Sequence, residues 1–247
     1  MEALLLGTGG WIPTDARETA CIYLREGDRV LLLDAGTGTR RLLTSPELTR
    51  GVARIDVCLS HFHLDHVVGL SYLPALPPGI ERFVWGPGDA LYRIATVDVL
   101  RRMIAPPLFA LDVSQAMSSV GELPVGELDL GPFGVATRAQ TYHTEPSLAI
   151  RVGTEVAYCT DTGYDDANAG FATGCRHLLH EAFYLGSAPD RTHSTSSEAA
   201  RIARDARVSQ LTLVHVHPLL GQDGDLLAQA VQVFASTQVG RDLARLV

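Results

Sequence analysis

The sequence has no CxxC pair and only four cysteines, Cys21, Cys58, Cys159 and Cys175, set far apart along 247 residues. That spacing excludes a thiolate zinc knuckle and a disulfide scaffold, and leaves buried free thiols of a reducing cytosol. No uncharged run approaches the roughly 18 residues that a membrane span requires. The opening Met1-Glu2-Ala3-Leu4-Leu5-Leu6-Gly7 lacks a positive segment, and its apolar run is too short for a secretory signal, so a cytoplasmic location is expected. Basic charge is not in excess either. The 20 Lys and Arg face 28 Asp and Glu, a formal net charge of −8, which argues against a generic binder of nucleic acid or anionic membranes. The glycine-rich turn Gly7-Thr8-Gly9-Gly10-Trp11-Ile12-Pro13 follows the first apolar run, but no GK[ST] and no helix start come after it. A Walker loop is therefore excluded, and a tight loop near a site is the reading that remains.

What the chain does have is histidine and carboxylate in one place. Ser60-His61-Phe62-His63-Leu64-Asp65-His66 follows the β-prone run Ile55-Asp56-Val57-Cys58-Leu59. While the backbone is still extended, His61 and His63 share a side. The turn that follows can swing Asp65 and His66 to a second point nearby. Imidazole nitrogen and carboxylate oxygen at this density are what Zn²⁺ or another borderline divalent ion takes as ligands.

Composition and length, 46% hydrophobic and 19% charged residues, suit a globular chain with a sizeable core, read as one domain over 1–247. Strands are expected at Leu4 to Leu6, in a hairpin of Thr19 to Leu24 with Val30 to Asp34, and at Phe83 to Trp85. The second hairpin strand is apolar throughout, hence buried on both faces. Short helices are expected at Thr39 to Leu43 and Val67 to Leu73. Helical spacing predicts another over Asp89 to Met103, with Leu91, Ile94, Ala95 and Val99 on one face. Pro106-Pro107-Leu108-Phe109 reads as a stiff loop that borders the substrate or packs on the surface.

Val135 to Tyr142 is expected to deliver His143 at a strand end, and the hairpin Ser147 to Val152 with Val156 to Cys159 to deliver Asp161. His177-Leu178-Leu179-His180-Glu181-Ala182 reads as a strand with a polar terminus. Thr195-Ser196-Ser197-Glu198 fits a capping box, opening a helix that buries Ala199, Ile202, Ala203 and Ala206. Leu211 to Val214 delivers His215. A last helix spans about Asp225 to Ala235 and buries Leu227, Ala230, Val231 and Phe234. Leu32-Leu33-Asp34-Ala35-Gly36 and Cys159-Thr160-Asp161-Thr162-Gly163 look alike, a hint of internal duplication. His61, His143, Asp161 and His215 thus each close a strand, and strand ends at one sheet edge are where open sheets place ligands.

The order His61-x-His63-x-Asp65-His66, then His143, Asp161 and His215, resembles the metallo-β-lactamase superfamily of binuclear metallohydrolases. Leu6-Gly7-Thr8-Gly9 with Ile12-Pro13-Thr14, Leu33-Asp34-Ala35-Gly36, His180-Glu181-Ala182 and His193-Ser194-Thr195 are similar to further signatures of its ribonuclease Z branch. The resemblance implies an α/β fold, a four-layer αββα sandwich with two divalent metal ions at one edge. One ion would take His61, His63 and His143, the other Asp65, His66 and His215, with Asp161 bridging. Zn²⁺ is the first expectation, and the same ligands accept Mn²⁺ or Fe. Two cations sharing a hydroxide would lower the pKa of the attacking water and clamp the phosphoryl oxygens. Asp65 would accept a proton, and Glu181 would hold His193 as the leaving-group acid. Asp34 would support the histidine loop, and His177, His180 and His217 take no role.

Two features depart from that branch. Transfer-RNA-processing members carry a long arm between the third histidine motif and the bridging aspartate, whereas 18 positions (161 − 143) separate His143 from Asp161 here. The last motif reads His215-Val216-His217-Pro218-Leu219, not His-Phe-Ser followed by Arg-Tyr. With the acidic charge, these departures point away from transfer RNA and towards a small-molecule phosphodiester, a cyclic phosphate or nucleotide. The alternatives are a lactone, thioester or sulfate ester hydrolase on the same ions, or a non-catalytic cofactor-pathway binding protein. A homodimer is compatible with related branches, and no membrane partner is expected.

Overall fold

Alternation along the buried strands builds the molecule in layers. The computed structural model describes residues 1–219 and 223–246. In β3 (Arg29–Leu33), Val30 and Leu32 face one core while Leu31 and Leu33 face another. A period of two thus explains an unbroken apolar run with both faces covered. The same division holds in β4 (Arg54–Cys58), where Ile55 and Val57 point outward under helices and Cys58 points between the sheets.

The first sheet runs β1-β2-β3-β4-β5-β6, with β1 (Glu2–Gly7), β2 (Cys21–Glu26), β5 (Glu81–Gly86) and β6 (Ser119–Glu122) beside the two strands already named. The second runs β13-β12-β11-β10-β9-β8-β7. Its strands are β7 (Gly126–Asp129), β8 (Gly134–Gln140), β9 (Ser147–Val152), β10 (Val156–Cys159), β11 (His177–Glu181), β12 (Gln210–Val214) and β13 (Thr237–Val239). Helices α1 (Arg41–Thr44), α2 (Leu64–Val67), α3 (Thr96–Arg101) and α4 (Val113–Ala116) accompany the first sheet. The second is covered by α5 (Ala167–Ala172), α6 (Ser196–Ala206) and α7 (Asp223–Val231). Leu5, Ile22, Phe133, Ile150 and Tyr158 fill the space between the sheets, completing the expected αββα sandwich.

The duplication hinted at by the two Asp-x-Gly segments is written into the pairing. From β1 to β6 the successive pairs are antiparallel, antiparallel, parallel, parallel, parallel. From β8 to β13 they follow the same sequence. Asp34 and Asp161 follow the third strand of each half, and both hold left-handed φ values, 60° and 47°.

Two expectations need correction. The helix over Asp89 to Met103 is broken. A π-turn over Gly88–Tyr92 ends at left-handed Arg93, and only Thr96–Arg101 is α-helical. Thr96 causes the break: its hydroxyl donates to the Gly86 carbonyl and accepts from the Gly88 N–H, while its N–H donates to Glu122. Ile94 is left exposed. In α7 the buried face carries Leu226 and Ala230, and Val231 is exposed. The Pro106 to Phe109 loop does not line the cavity beside the histidine cluster; Leu108 projects into solvent and Phe109 packs on the outer core of the first sheet.

Candidate metal centre

The histidine run leaves β4 as extended backbone, with His63 at φ −62° and ψ 148°, and then turns into α2. His61 and His63 are therefore presented from the strand end, and Asp65 and His66 from the first helical turn. His143 follows β8, Asp161 follows β10 and His215 follows β12. Four segments from two sheets meet at one edge.

Their donor atoms sort into two groups. His61, His63, His143 and Asp161 converge in one, and Asp65, His66 and His215 in the other. The Asp161 carboxylate lies between them. Its Oδ2 faces His61 Nε2 at 3.6 Å and His143 Nε2 at 3.4 Å. Its Oδ1 faces the Nε2 atoms of His66 and His215, each at 3.2 Å. Asp65 Oδ2 closes the second group, 3.4 Å from His66 Nε2 and 3.3 Å from His215 Nε2. Tetrahedral ligands with bonds of about 2.0–2.1 Å stand roughly 3.3 Å apart, so the spacing suits a divalent ion in each group.

The outer nitrogens fix which way the lone pairs point. His66 Nδ1 donates to Asp34 Oδ2 at 2.8 Å, and His143 Nδ1 donates to the Thr192 carbonyl at 2.9 Å. Ser60 Oγ donates to Asp34 Oδ2, so it accepts from His61 Nδ1 at 2.9 Å. Each of these rings gives its Nδ1 proton away from the centre, the arrangement by which histidine ligands are oriented. His61 Nε2 is buried with no hydrogen-bond partner, an arrangement that costs free energy unless a cation meets it. The residues present therefore fit two ions.

Asp34 plays the supporting part expected of it. It is fully buried and accepts from the Ser60 N–H, the Ser60 hydroxyl, His66 and the Tyr158 hydroxyl. Gly10 is required by contact: a Cβ there would lie 2.4 Å from the His215 ring.

Electrostatics follow the same layout. Burial, then neighbouring His66, hold His61 neutral, well below the usual histidine range; burial and His143 lower His63. Burial opposes ionisation of Asp65 and Asp161, but the surrounding histidines outweigh it and keep both carboxylates well below their ordinary range. For His66 burial is outweighed by Asp161, Asp65 and Asp34, and its pKa rises. The excess negative charge here is what divalent cations would neutralise.

Beside this centre, His193 Nδ1 lies 3.0 Å from Glu181 Oε2 and 3.1 Å from Oε1. Glu181 is fully buried and also accepts the N–H groups of Thr162 and Ser194. Burial lowers the His193 pKa, but the Glu181 carboxylate more than offsets it and raises it to about 9. Phe183 stacks on the His193 ring at 4.3 Å.

Of the histidines left without a role, His177 and His180 are buried in β11, and His180 Nδ1 donates to the Glu181 carbonyl. His217 stands at the rim, 4.4 Å from the Phe183 ring and 6.2 Å from Trp11. Sequence reasoning missed Ser60, Thr192, Phe183 and Trp11. The Trp11 N–H donates to Asp65 Oδ2 at 2.7 Å. Its place in the glycine-rich turn before Pro13 was the one available signal.

The chain is similar to known proteins over most or all of its length. The description of a beta-lactamase superfamily domain matches residues 29–216. A ribonuclease Z of Clostridium acetobutylicum is 26% identical over 299 aligned positions, covering 98% of this chain and 96% of the relative. The metallo-beta-lactamase fold protein YhfI of Bacillus subtilis superposes with a TM-score of 0.82 at 21% identity, over 100% of this chain and 99% of that one. A diphosphatase of the PhnP family gives 0.75 at 18% identity, over 100% and 97%.

Proposed function

The chain belongs to the beta-lactamase superfamily, and from that premise we propose that it is a binuclear metal-dependent phosphodiesterase acting on a small ester. The observation that carries this reading is the Asp161 carboxylate, one oxygen turned to His61 and His143 and the other to His66 and His215. One ion would be held by His61, His63, His143 and Asp161, the other by Asp65, His66, His215 and Asp161. When bound, two such cations supply Lewis acidity that makes water a nucleophile near neutral pH and neutralises the phosphoryl oxygens.

The chain's own groups do the rest. Asp65, ionised and anchored by the Trp11 N–H, takes the proton from the attacking water. His193, held protonated by Glu181 and fixed in plane by Phe183, gives its Nε2 proton to the departing oxygen. Glu181 does not reach the reaction; it holds the acid in place and in charge.

Resemblance to ribonuclease Z and to a PhnP-family diphosphatase supports phosphate ester chemistry. The small-substrate reading is supported by the segment between His143 and Asp161. It holds only β9 and β10, closed at left-handed Gly153, and no arm leaves it. The net charge of −8 adds to this.

The test is a panel on metal-replete protein: bis(4-nitrophenyl) phosphate, cyclic nucleotides, a precursor transfer RNA, a lactone and a β-lactam. Turnover of the small phosphodiesters is expected, and turnover confined to the lactone would replace the proposed bond. His193→Ala is expected to lower kcat on a diester with an alkyl leaving group by about 10²- to 10⁴-fold. With a 4-nitrophenolate leaving group the loss should be much smaller; equal losses on both would remove His193 as the acid.

A further inference from the structure

An apolar wall adjoins the ligand cluster, and its side chains have no part in the chemistry above. Trp11, Ile12, Pro13 and Leu64 line a cavity of about 510 Å³ that His63 and Asp65 also line. The cavity therefore opens on the reacting centre. Trp11 is 57% exposed, Ile12 41% and Leu64 64%. Three large apolar side chains standing together in solvent mark a binding surface rather than scattered surface residues.

The backbone shows that the indole is placed there. Trp11 has φ 66°, a conformation that favours glycine and is strained for a bulky aromatic. The loop holds it by three bonds: Gly10 N–H to the Val216 carbonyl, Ile12 N–H to the Gly10 carbonyl, and Trp11 N–H to Asp65 Oδ2. From the loop those bonds use only backbone groups, so the Trp11 side chain takes no part in them. Leu64 lies between the ligand residues His63 and Asp65, and its side chain points out into the same space.

We propose that this wall is a subsite for a planar, uncharged substituent of the ester, an aryl ring or nucleobase, and that Trp11 selects it by stacking. The proposal rests on the phosphodiesterase reading and names its substrate class. A flat π-face satisfies an exposed indole, and among the described residues that line the cavity no Lys or Arg stands ready to pair with a second anionic group.

The experiment separates the two readings. On metal-replete protein, kcat/KM is measured for bis(4-nitrophenyl) phosphate and for methyl 4-nitrophenyl phosphate, which share a leaving group and differ in the retained one. The ratio is expected to fall roughly tenfold in Trp11→Gly, whose backbone suits the left-handed position, and to recover in Trp11→Phe. Leu64→Ala should lower it in the same direction. In parallel, adenosine 5′-monophosphate is titrated while indole emission is read; the chain has two tryptophans, Trp11 and Trp85. Quenching should persist in Trp85→Phe and vanish in Trp11→Phe.

A ratio unmoved by Trp11→Gly and Leu64→Ala, with no quenching, overturns the subsite even if diesters are turned over. Quenching at Trp11 with no turnover of any phosphodiester keeps the subsite and discards the phosphodiesterase reading. A change of oligomeric state in Trp11→Gly, seen by sedimentation, would make the wall an interface and also overturn the subsite.

Discussion

The Glu181 carboxylate is fully buried and meets the His193 imidazole, while the N–H groups of Thr162 and Ser194 donate to the same two oxygens. An ionised partner within hydrogen-bond distance holds an imidazole protonated by about 1–3 pKa units. The sign follows from the role proposed for His193. An acid must carry its proton, so the step it assists is complete below its pKa and lost above it. For a diester with a poor leaving group, an alkaline limb is expected near about 9. Glu181→Gln should move that limb down by more than about one unit, because burial alone lowers the pKa once the carboxylate is gone. A limb that stays in place would detach Glu181 from the acid. At this scale the site was legible wherever chemistry sits in a side chain at the end of an apolar run, as with His143 and Asp161. It was not legible for Thr192, which acts through its carbonyl, nor for Phe183, whose stacking on His193 leaves no trace in local sequence. Trp11 lay unread for a related reason: a single exposed aromatic after Gly9-Gly10 has no periodicity.

The element that sets His193 in place is α6. Thr195 caps it, accepting from the Glu198 N–H while Glu198 accepts the Thr195 N–H. Ser194, between His193 and the cap, donates its N–H to Glu181 and its hydroxyl to the Thr162 carbonyl. Thr195→Ala is expected to cost about 1 kcal/mol, read as a fall in Tm of roughly 2–4 °C; an unchanged Tm would show that the cap carries no stability. This capping box and the buried stripe Ala199, Ile202, Ala203 and Ala206 could be read directly, because both arise from spacing within one helix. The strands β6, β7 and β13 could not. Each lies at or near a sheet edge and carries few buried side chains, so the alternation that reveals β3 or β4 is missing. The helix proposed across Asp89 to Met103 failed for the opposite reason. Its apolar spacing is real, but the Thr96 hydroxyl binds Gly86 and Gly88 from another segment and breaks it.

Across the whole molecule, the seven converging histidines and aspartates join two halves built on the same strand order. His61, His63, Asp65 and His66 come from the first sheet, and His143, Asp161 and His215 from the second. Ions held by all seven would tie the open edge of the sandwich, where carboxylates and histidines otherwise face one another without a cation. A ligand bound only by the folded chain stabilises it by about 2.7 kcal/mol when present at 100 times its dissociation constant. For a chain of this size that is roughly 5–10 °C in Tm. Removal of metal with a chelator is thus expected to lower Tm by about that amount, with recovery on adding Zn²⁺. The gain should also depend on pH in one direction. His61, His63 and their partners bind a cation only when neutral, so protons compete for them and occupancy falls on acidification. The Tm difference between metal-loaded and chelated protein should therefore shrink as pH falls. A difference that stays constant down to pH values where histidine is charged would mean that these imidazoles are not the ligands.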